Sequence, residues 1–515
     1  MSHPRLAGVS VPLFSLRAQR DCGIGEIGDL APFADWAVSA GQSVIALLPL
    51  DELAAGEASP YNALSSFALD PLYLSPAGIE ELRGVAVDPP VVTRSVAVDR
   101  ERARAWKEPL FDEAFRRFRA LPARHSRRRR LRELRRRASW LADYSLFRAL
   151  LEEHGGRSWK DWPEPLRRRD PRALAAARRR LDERILRYEY LQLAAEEAWR
   201  DARRAVARRG VLLMGDLPFA PSENSADVWA NPDLFDLSRS AGAPPDAFSA
   251  TGQRWGLPMY RWRELRRSGW SWFRRRVRRM AELYDLFRVD HVVGLFRTFG
   301  FVGESPSGFD PAEEAAQIEQ GREVLSVVLE EARPAAPVAE DLGVIPEFVT
   351  EALTALDVPG YRVLRWARDG DRFIDPREYP ECSIATTGTH DTESLAAWWD
   401  ELPRDERRAL LDTLGLGKAS ARGGLTAKLR RSILARLYAS PSRLVILPIQ
   451  DLFGWRERVN TPATIGGGNW RYRLPFTTGE LAGRSALAAE SEQLRTLIDA
   501  SGRLRKMDKS SPRTR

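Results

Sequence analysis

Residues 284–297 read YDLFRVDHVVGLFR. Successive side chains of an extended strand alternate faces, so Leu286, Arg288 and Asp290 share one side, and Phe287 and Val289 share the other. Leu286 then fills an interior while Arg288 stands beside Asp290 at its mouth. A guanidinium there favours the ionised carboxylate, the state a nucleophile needs. Taken alone, Arg-x-Asp also describes a structural ion pair.

Three further runs share the design: VLLMGD (211–216), APVAED (336–341) and SIATTGTHD (383–391). Each is short, β-rich and ends in acid, and the gaps between them hold a crossover helix and an elaborated loop. A single acid after a strand is commonly a helix N-cap or turn former. Asp216, Asp290, Glu340 and Asp391 at the carboxyl ends of successive parallel strands predict more. In an α/β chain folded as a (β/α)8 TIM barrel those ends converge on one face, where barrel enzymes keep their active sites.

Upstream, residues 28–40 read as a helix. VIALLPL (44–50) reads as a strand buried on both faces, and GEASPYNALSSF (56–67) as a polar loop. From 98 to 120, Trp106, Leu110, Phe111, Ala114, Phe115 and Phe118 recur at helical spacing, and Arg-rich helical character persists to about 209. The aromatics Trp140, Tyr144, Phe147, Trp159 and Trp162 in that block read as core. The plan is a barrel start over 1–84 and a mainly helical insertion with adjoining barrel elements over 85–209. The rest of the barrel follows over 210–502 with a lid loop at 242–258, and a solvated tail over 503–515.

The chain has 515 residues, 43% hydrophobic and 29% charged, enough for a sizeable core. With two cysteines, Cys22 and Cys382, it has no disulfide framework and suits a reducing, cytoplasmic compartment. No signal-type apolar segment opens the sequence, and the run 44–50 is too short to span a membrane. Net charge is +9, densest in RRRRLRELRRR (127–137). Leu131 and Leu134 fit a narrow buried stripe on an otherwise solvated helix, and no aromatic stacking pattern points to nucleic acid. The five histidines show no HExxH-type spacing, so neither a metal nor a cofactor is expected.

The chemistry lies in the acids. Glu340 follows the apolar PVA, in dehydrated surroundings that keep a carboxyl group protonated, so Glu340 and Asp290 supply an acid and a nucleophile. Two carboxyl groups about 5 to 5.5 Å apart cleave a glycosidic bond with retention through a covalent glycosyl-enzyme. In TGTHD the glycine lets the backbone carry His390 and Asp391 toward sugar hydroxyls.

GDLPFAPSENSADVWANPDLF (215–235), PPDAFSATGQRWG (244–256), YDLFRVDHVVGLFR, AEDLGVIP (339–346) and TGTHD (387–391) together resemble the amylomaltases, the 4-α-glucanotransferase family of the α-amylase clan. GIGEIGDL near the start, SPYNALSSFALDP (59–71) and NTPATIGGGNWRYRLP (460–475) extend the likeness, in order, over nearly the whole chain. The resemblance implies helical insertions over the barrel's C-terminal face and maltooligosaccharides and α-1,4-glucans as substrates. It implies Asp290 as nucleophile, Glu340 as acid/base and Asp391 as transition-state stabiliser. Arg288, His291 and His390 match sugar-binding positions, Asp216 the clan's acid after an earlier strand, and Tyr61 an aromatic platform. Trp255 falls in a loop that overhangs the family's cleft, and with Phe248 it would exclude water and favour transfer over hydrolysis. Gly252, Gly256 and Pro258 around it also read as loop. The chain departs from the family at Ala247, Leu257, Ile45-Ala46 and in TES (392–394) after THD, and these bear on acceptor preference. Residues 303–323 depart as well and have no functional reading. An α-glucan hydrolase, a transferase with altered acceptor specificity and a silent glucan-binding protein are the alternatives, the last opposed by the intact acids.

Overall fold

A computed structural model describes residues 4–89, 96–245, 252–462, 464 and 466–505. Parallel strands β1 (Leu6–Ser10), β2 (Val44–Ala46), β3 (Leu212–Leu217), β4 (Leu286–Val289), β5 (Ala336–Ala339), β6 (Gly360–Val363), β7 (Ser383–Thr386) and β8 (Leu444–Pro448) form a closed barrel in chain order. β1 pairs with both β2 and β8, Leu6 standing opposite Leu444, so the ring closes on its first strand. The expected (β/α)8 class is the one observed.

The barrel interior follows from period-two alternation. Leu6, Val44, Met214, Leu286, Val338, Ile384, Leu444 and Ile446 form one buried cluster inside it. Two residues on, the same inward face carries Asp216 after Met214, Arg288 after Leu286 and Glu340 after Val338. In register, Asp216 pairs with Arg288, and Arg288 with Val338. An apolar floor thus lies one layer below a charged rim.

Some expectations are corrected. The four acids do not lie on successive strands. Asp216 is within β3, Asp290 and Glu340 directly follow β4 and β5, and Asp391 lies beyond β7, with β6 intervening. GYRV, the whole of β6, carries Tyr361 and Arg362 and lacks the apolar run that marks its neighbours. The helix over 28–40 is Leu30–Ser39 after a 3-10 turn at Ile27–Asp29, and of VIALLPL Val44–Ala46 is strand.

Trp255 is not in a loop. It lies in the strand Gln253–Tyr260, which pairs antiparallel with Phe235–Ala243. Thr298–Val302 and Ser305–Asp310 complete a four-stranded sheet. Residues 303–323 therefore supply a hairpin turn, its outer strand and the start of the helix Glu314–Ala332. This sheet is built from the segments that follow β3 and β4. Of the lid at 242–258, residues 246–251, Ala247 and Phe248 among them, lie outside the described residues.

The helical block contains Arg100–Ala120, Ser126–Arg137, Leu141–Glu153 and Asp182–Ala207. Tyr144, Phe147, Trp159 and Trp162 are buried, with Phe147 and Trp162 centroids 5.4 Å apart. Leu131 and Leu134 are the buried stripe foreseen in the basic run. Its inner arginines are paired: Arg127 with Glu81 and Glu197, Arg130 with Glu80 and Glu197, Arg135 with Glu189, Arg137 with Glu196. Arg503, assigned above to a solvated tail, is instead buried. Its guanidinium donates to the carbonyls of Tyr438, Ser440 and Ser442 at 2.7 Å each and of Leu6 at 3.3 Å. No described helix is long and apolar enough to cross a membrane.

Removing one partner of a buried pair strands the other charge, at a cost of about 3 to 5 kcal/mol. The Arg127 side chain is 2% exposed and faces Glu81 at 4%. Arg127→Ala is therefore expected to lower stability by that amount in denaturant unfolding, whereas Arg136→Ala, at an exposed position of the same helix, stays within about 0.5 kcal/mol of the parent.

Candidate active site

At the carboxyl end of the barrel one guanidinium organises the site. Arg288 Nη1 donates to Asp216 Oδ2 at 2.7 Å, and Nη2 lies 2.7 Å from Asp290 Oδ1 and 3.6 Å from Glu340 Oε2. Sharing one nitrogen, the facing oxygens of Asp290 and Glu340 are at most about 6 Å apart, within reach of a single glycosidic bond and short of the wider spacing that leaves room for an attacking water. Burial disfavours the charge on Arg288, but Asp216 and Asp290 hold its pKa well above the ordinary arginine value.

The surroundings separate the acids. Burial raises the Glu340 pKa to about 8, the Asp290 charge adds to that, and Arg288 with the backbone N–H groups of His291 and Leu342 opposes it. Those N–H groups lie 2.8 and 3.1 Å from the Glu340 carboxyl oxygens. His291 adopts a left-handed backbone, φ 47°, and in this geometry its N–H meets Glu340. Asp290 Oδ2 accepts the Phe219 N–H at 3.2 Å. Burial alone would raise the Asp391 pKa, but His390, Asn460 and Arg288 bring it down to about 2. His390 Nε2 is 3.2 Å from Asp391 Oδ2, and the Asn460 amide donates to Oδ1 at 2.6 Å.

Aromatic groups wall the cleft. The Tyr61 hydroxyl donates to Asp216 Oδ2 at 2.7 Å, and its ring stacks on His390 with centroids 5.4 Å apart. Trp470 packs against both rings. Opposite, Trp255 meets His291 edge to face at 4.7 Å, and Phe219 touches both. Burial lowers the His291 pKa to about 4, so the imidazole is neutral at physiological pH. Asp216 Oδ1 is buried with no hydrogen-bond donor among the described residues.

All nine residues singled out from the sequence come together here: Asp216, Arg288, Asp290, His291, Glu340, His390, Asp391, Tyr61 and Trp255. Sequence reasoning missed Asn460, Trp470 and the support beneath Asp290. There the Pro218 carbonyl, of the peptide whose N–H reaches Asp290, accepts from Arg276 Nη2 at 2.5 Å, and the next carbonyl, of Phe219, accepts from Tyr260 Oη at 2.8 Å and from Arg276 Nη1 at 3.1 Å. Asn460 and Trp470 sit in the quoted segment 460–475, but nothing in their spacing signals an approach to Asp391. Arg276, two turns into the helix Ser271–Leu283, looks like any other arginine of an Arg-rich helix.

A parallel barrel with paired carboxylates and a low-pKa third acid at its C-terminal mouth is the framework of a barrel enzyme acting on sugars. A family model described as 4-alpha-glucanotransferase (Glyco_hydro_77) matches residues 11–478. The 4-alpha-glucanotransferase of Chlamydia pneumoniae is 32% identical over 500 residues, 92% of each chain. That of Thermus thermophilus is 33% identical over 501 residues, 94% of this chain and 96% of its own. Among solved structures, the amylomaltase from Streptococcus agalactiae in complex with acarbose superposes with a TM-score of 0.85 at 25% identity, covering 97% of this chain and all of that one. The chain belongs to the 4-alpha-glucanotransferase family, glycoside hydrolase family 77, and its activity is transfer between α-1,4-glucans.

A general acid must be protonated to act, so if Glu340 fills that role its titration near 8 sets the alkaline limit. The expected kcat/KM for disproportionation is level through neutrality and falls about tenfold per pH unit above that value. Asp290→Asn removes a like charge and should move the Glu340 titration, followed by carboxyl NMR, downward.

Proposed function

We propose that Asp290 is the nucleophile, Glu340 the acid and base, and Asp391 the group that binds sugar hydroxyls most tightly in the transition state, acting on maltooligosaccharides and longer α-1,4-glucans by double displacement. The observation that carries this is the Arg288 guanidinium lodged between Asp290 and Glu340. It neutralises the attacking carboxylate's surroundings without supplying a proton, while burial keeps Glu340 protonated.

In the first step a carboxylate oxygen of Asp290 bonds to the anomeric carbon as the glycosidic bond breaks, and the Glu340 proton passes to the departing oxygen. The released glucan leaves with a free 4-hydroxyl. In the second, Glu340, now ionised, takes the proton from the 4-hydroxyl of another glucan as that oxygen attacks the anomeric carbon and Asp290 is freed. Configuration is inverted twice and so retained. Asp216 Oδ1, buried and without a donor among the described residues, is an acceptor for a sugar hydroxyl. Arg288, His291 and His390 border the same ring, and Tyr61 offers it an aromatic face. Trp255, half-buried and packed on Phe219, gives the incoming sugar an apolar surface that water does not use, which favours transfer.

Residues 1–84 and 210–502 make the barrel in this account, and 85–209 the helical insertion with adjoining barrel elements. A cytoplasmic setting is supported by two cysteines that are both free thiols.

Incubation with maltotriose is expected to yield glucose together with a ladder of longer oligosaccharides. Shortened products alone would make the chain a hydrolase. Asp290→Asn is expected to lower kcat at least about a thousandfold while maltotriose still binds, and undiminished turnover in that variant would remove Asp290 from its role.

A further inference from the structure

Two residues beyond Asp391 stands a carboxylate that takes no part in the chemistry above. Glu393 lies between two arginines from different loops. Arg365, just past β6, is buried and donates Nη1 to Glu393 Oε2 at 3.0 Å and Nη2 to the Glu393 carbonyl at 2.8 Å. Its Nε reaches the Thr387 carbonyl at 3.3 Å, and its guanidinium lies over the Trp398 ring, 5.1 Å from the centroid. Arg458, in the segment after β8, donates Nη1 to Glu393 Oε1 and Nη2 to the Asp391 carbonyl, and its Nε reaches the Asn460 carbonyl at 2.6 Å. Asn460 then gives its amide to Asp391 Oδ1 at 2.6 Å and its backbone N–H to the His390 carbonyl at 3.1 Å.

Each Glu393 oxygen thus holds one arginine, and through them the segments after β6, β7 and β8 meet behind Asp391. The site needs such a device. The Asp391 side chain is 39% exposed, against 20% for Asp290 and 11% for Glu340, so packing alone does not fix it. The backbone is bare where the three segments close. A side chain at Gly388 would crowd Arg365 Nη2 at 3.3 Å and collide with Thr392. Without the Glu393 charge, Asp451 still faces Arg365, but the two guanidinium groups lose the carboxylate they share, and Arg458 loses the anchor through which it steadies Asn460.

We infer that Glu393 is a positioning residue for transfer: by bridging Arg365 and Arg458 it sets Asn460 against Asp391 and holds that carboxylate where the transition state needs it. This rests on the role assigned to Asp391 above. It adds a three-loop coupling that no single loop's sequence contains.

The test uses the full chain with maltotriose and five variants: Glu393→Gln, Glu393→Asp, Asn460→Ala, the double variant Glu393→Gln/Asn460→Ala, and Asp391→Asn. Glu393→Gln is expected to lower kcat about 10- to 100-fold with KM within about threefold, since supporting groups of this kind act on geometry more than on ground-state binding. Glu393→Asp keeps the charge and should recover most of the loss. The double variant should be no slower than Asn460→Ala alone, because both changes break one chain of contacts. A Glu393→Gln enzyme with parental kcat, or losses that multiply in the double variant, would overturn the inference. Full turnover by Asp391→Asn would instead reject the role of Asp391, and the Glu393–Asn460 coupling would still be read separately from the cycle.

Discussion

Everything at the mouth of the barrel is arranged around the charge of Arg288. Removed from solvent, a guanidinium is tolerable only if carboxylates surround it, and three carboxyl groups crowded together are tolerable only if a cation lies among them. Asp216, Asp290 and Glu340 are close enough to repel one another strongly. The cation offsets that repulsion unequally, with 2.7 Å contacts to Asp216 and Asp290 and a longer one, 3.6 Å, to Glu340. Burial raises the pKa of Glu340 first of all, and Arg288, at the longer distance, does not cancel that rise; burial pushes the Asp216 carboxyl upward as well.

That arrangement was legible in the sequence where a strand's alternation carried it. Leu286, Arg288 and Asp290 share a face because the side-chain period is two, and Asp216 and Glu340 were legible as acids at strand ends, where the structure sets them above Met214 and Val338. Elements without such a signature were not legible. β6 is four residues long and half polar. The strand bearing Trp255 contains Gly256 and Pro258, which break strands elsewhere but are accommodated beside the bulges of this pairing. Arg503 looked like part of a solvated tail because sequence cannot reveal that its partners are backbone carbonyls of residues far away. Asn460 and Glu393 act on Asp391 across three loops, and contacts of that kind leave no spacing to read.

The charge of the chain divides in a similar way. Its net excess is +9, yet the basic run of the helical block turns its inner arginines onto Glu81, Glu189, Glu196 and Glu197. The pairs with Glu189, Glu196 and Glu197 knit the helix Ser126–Arg137 to Asp182–Ala207, whose other side rests on the barrel, and Glu81 ties it to the 3-10 turn Glu80–Leu82. Arg127 and its buried partners make this a specific junction, whereas the outer arginines are ordinary solvated charge. A run that reads as a solvated helix face is, in its inner half, the adhesive of a helix pair.

Closure of the ring on β1 has a consequence for how the chain comes into being. During synthesis β1 emerges first and finds β2 almost at once, but its opposite edge can be satisfied only by β8, made near the end. For most of translation that edge presents unpaired amides and carbonyls to the cell, a template for association with another nascent copy. The edge is five residues of mostly small side chains, LAGVS, which give such a partner little apolar surface to hold.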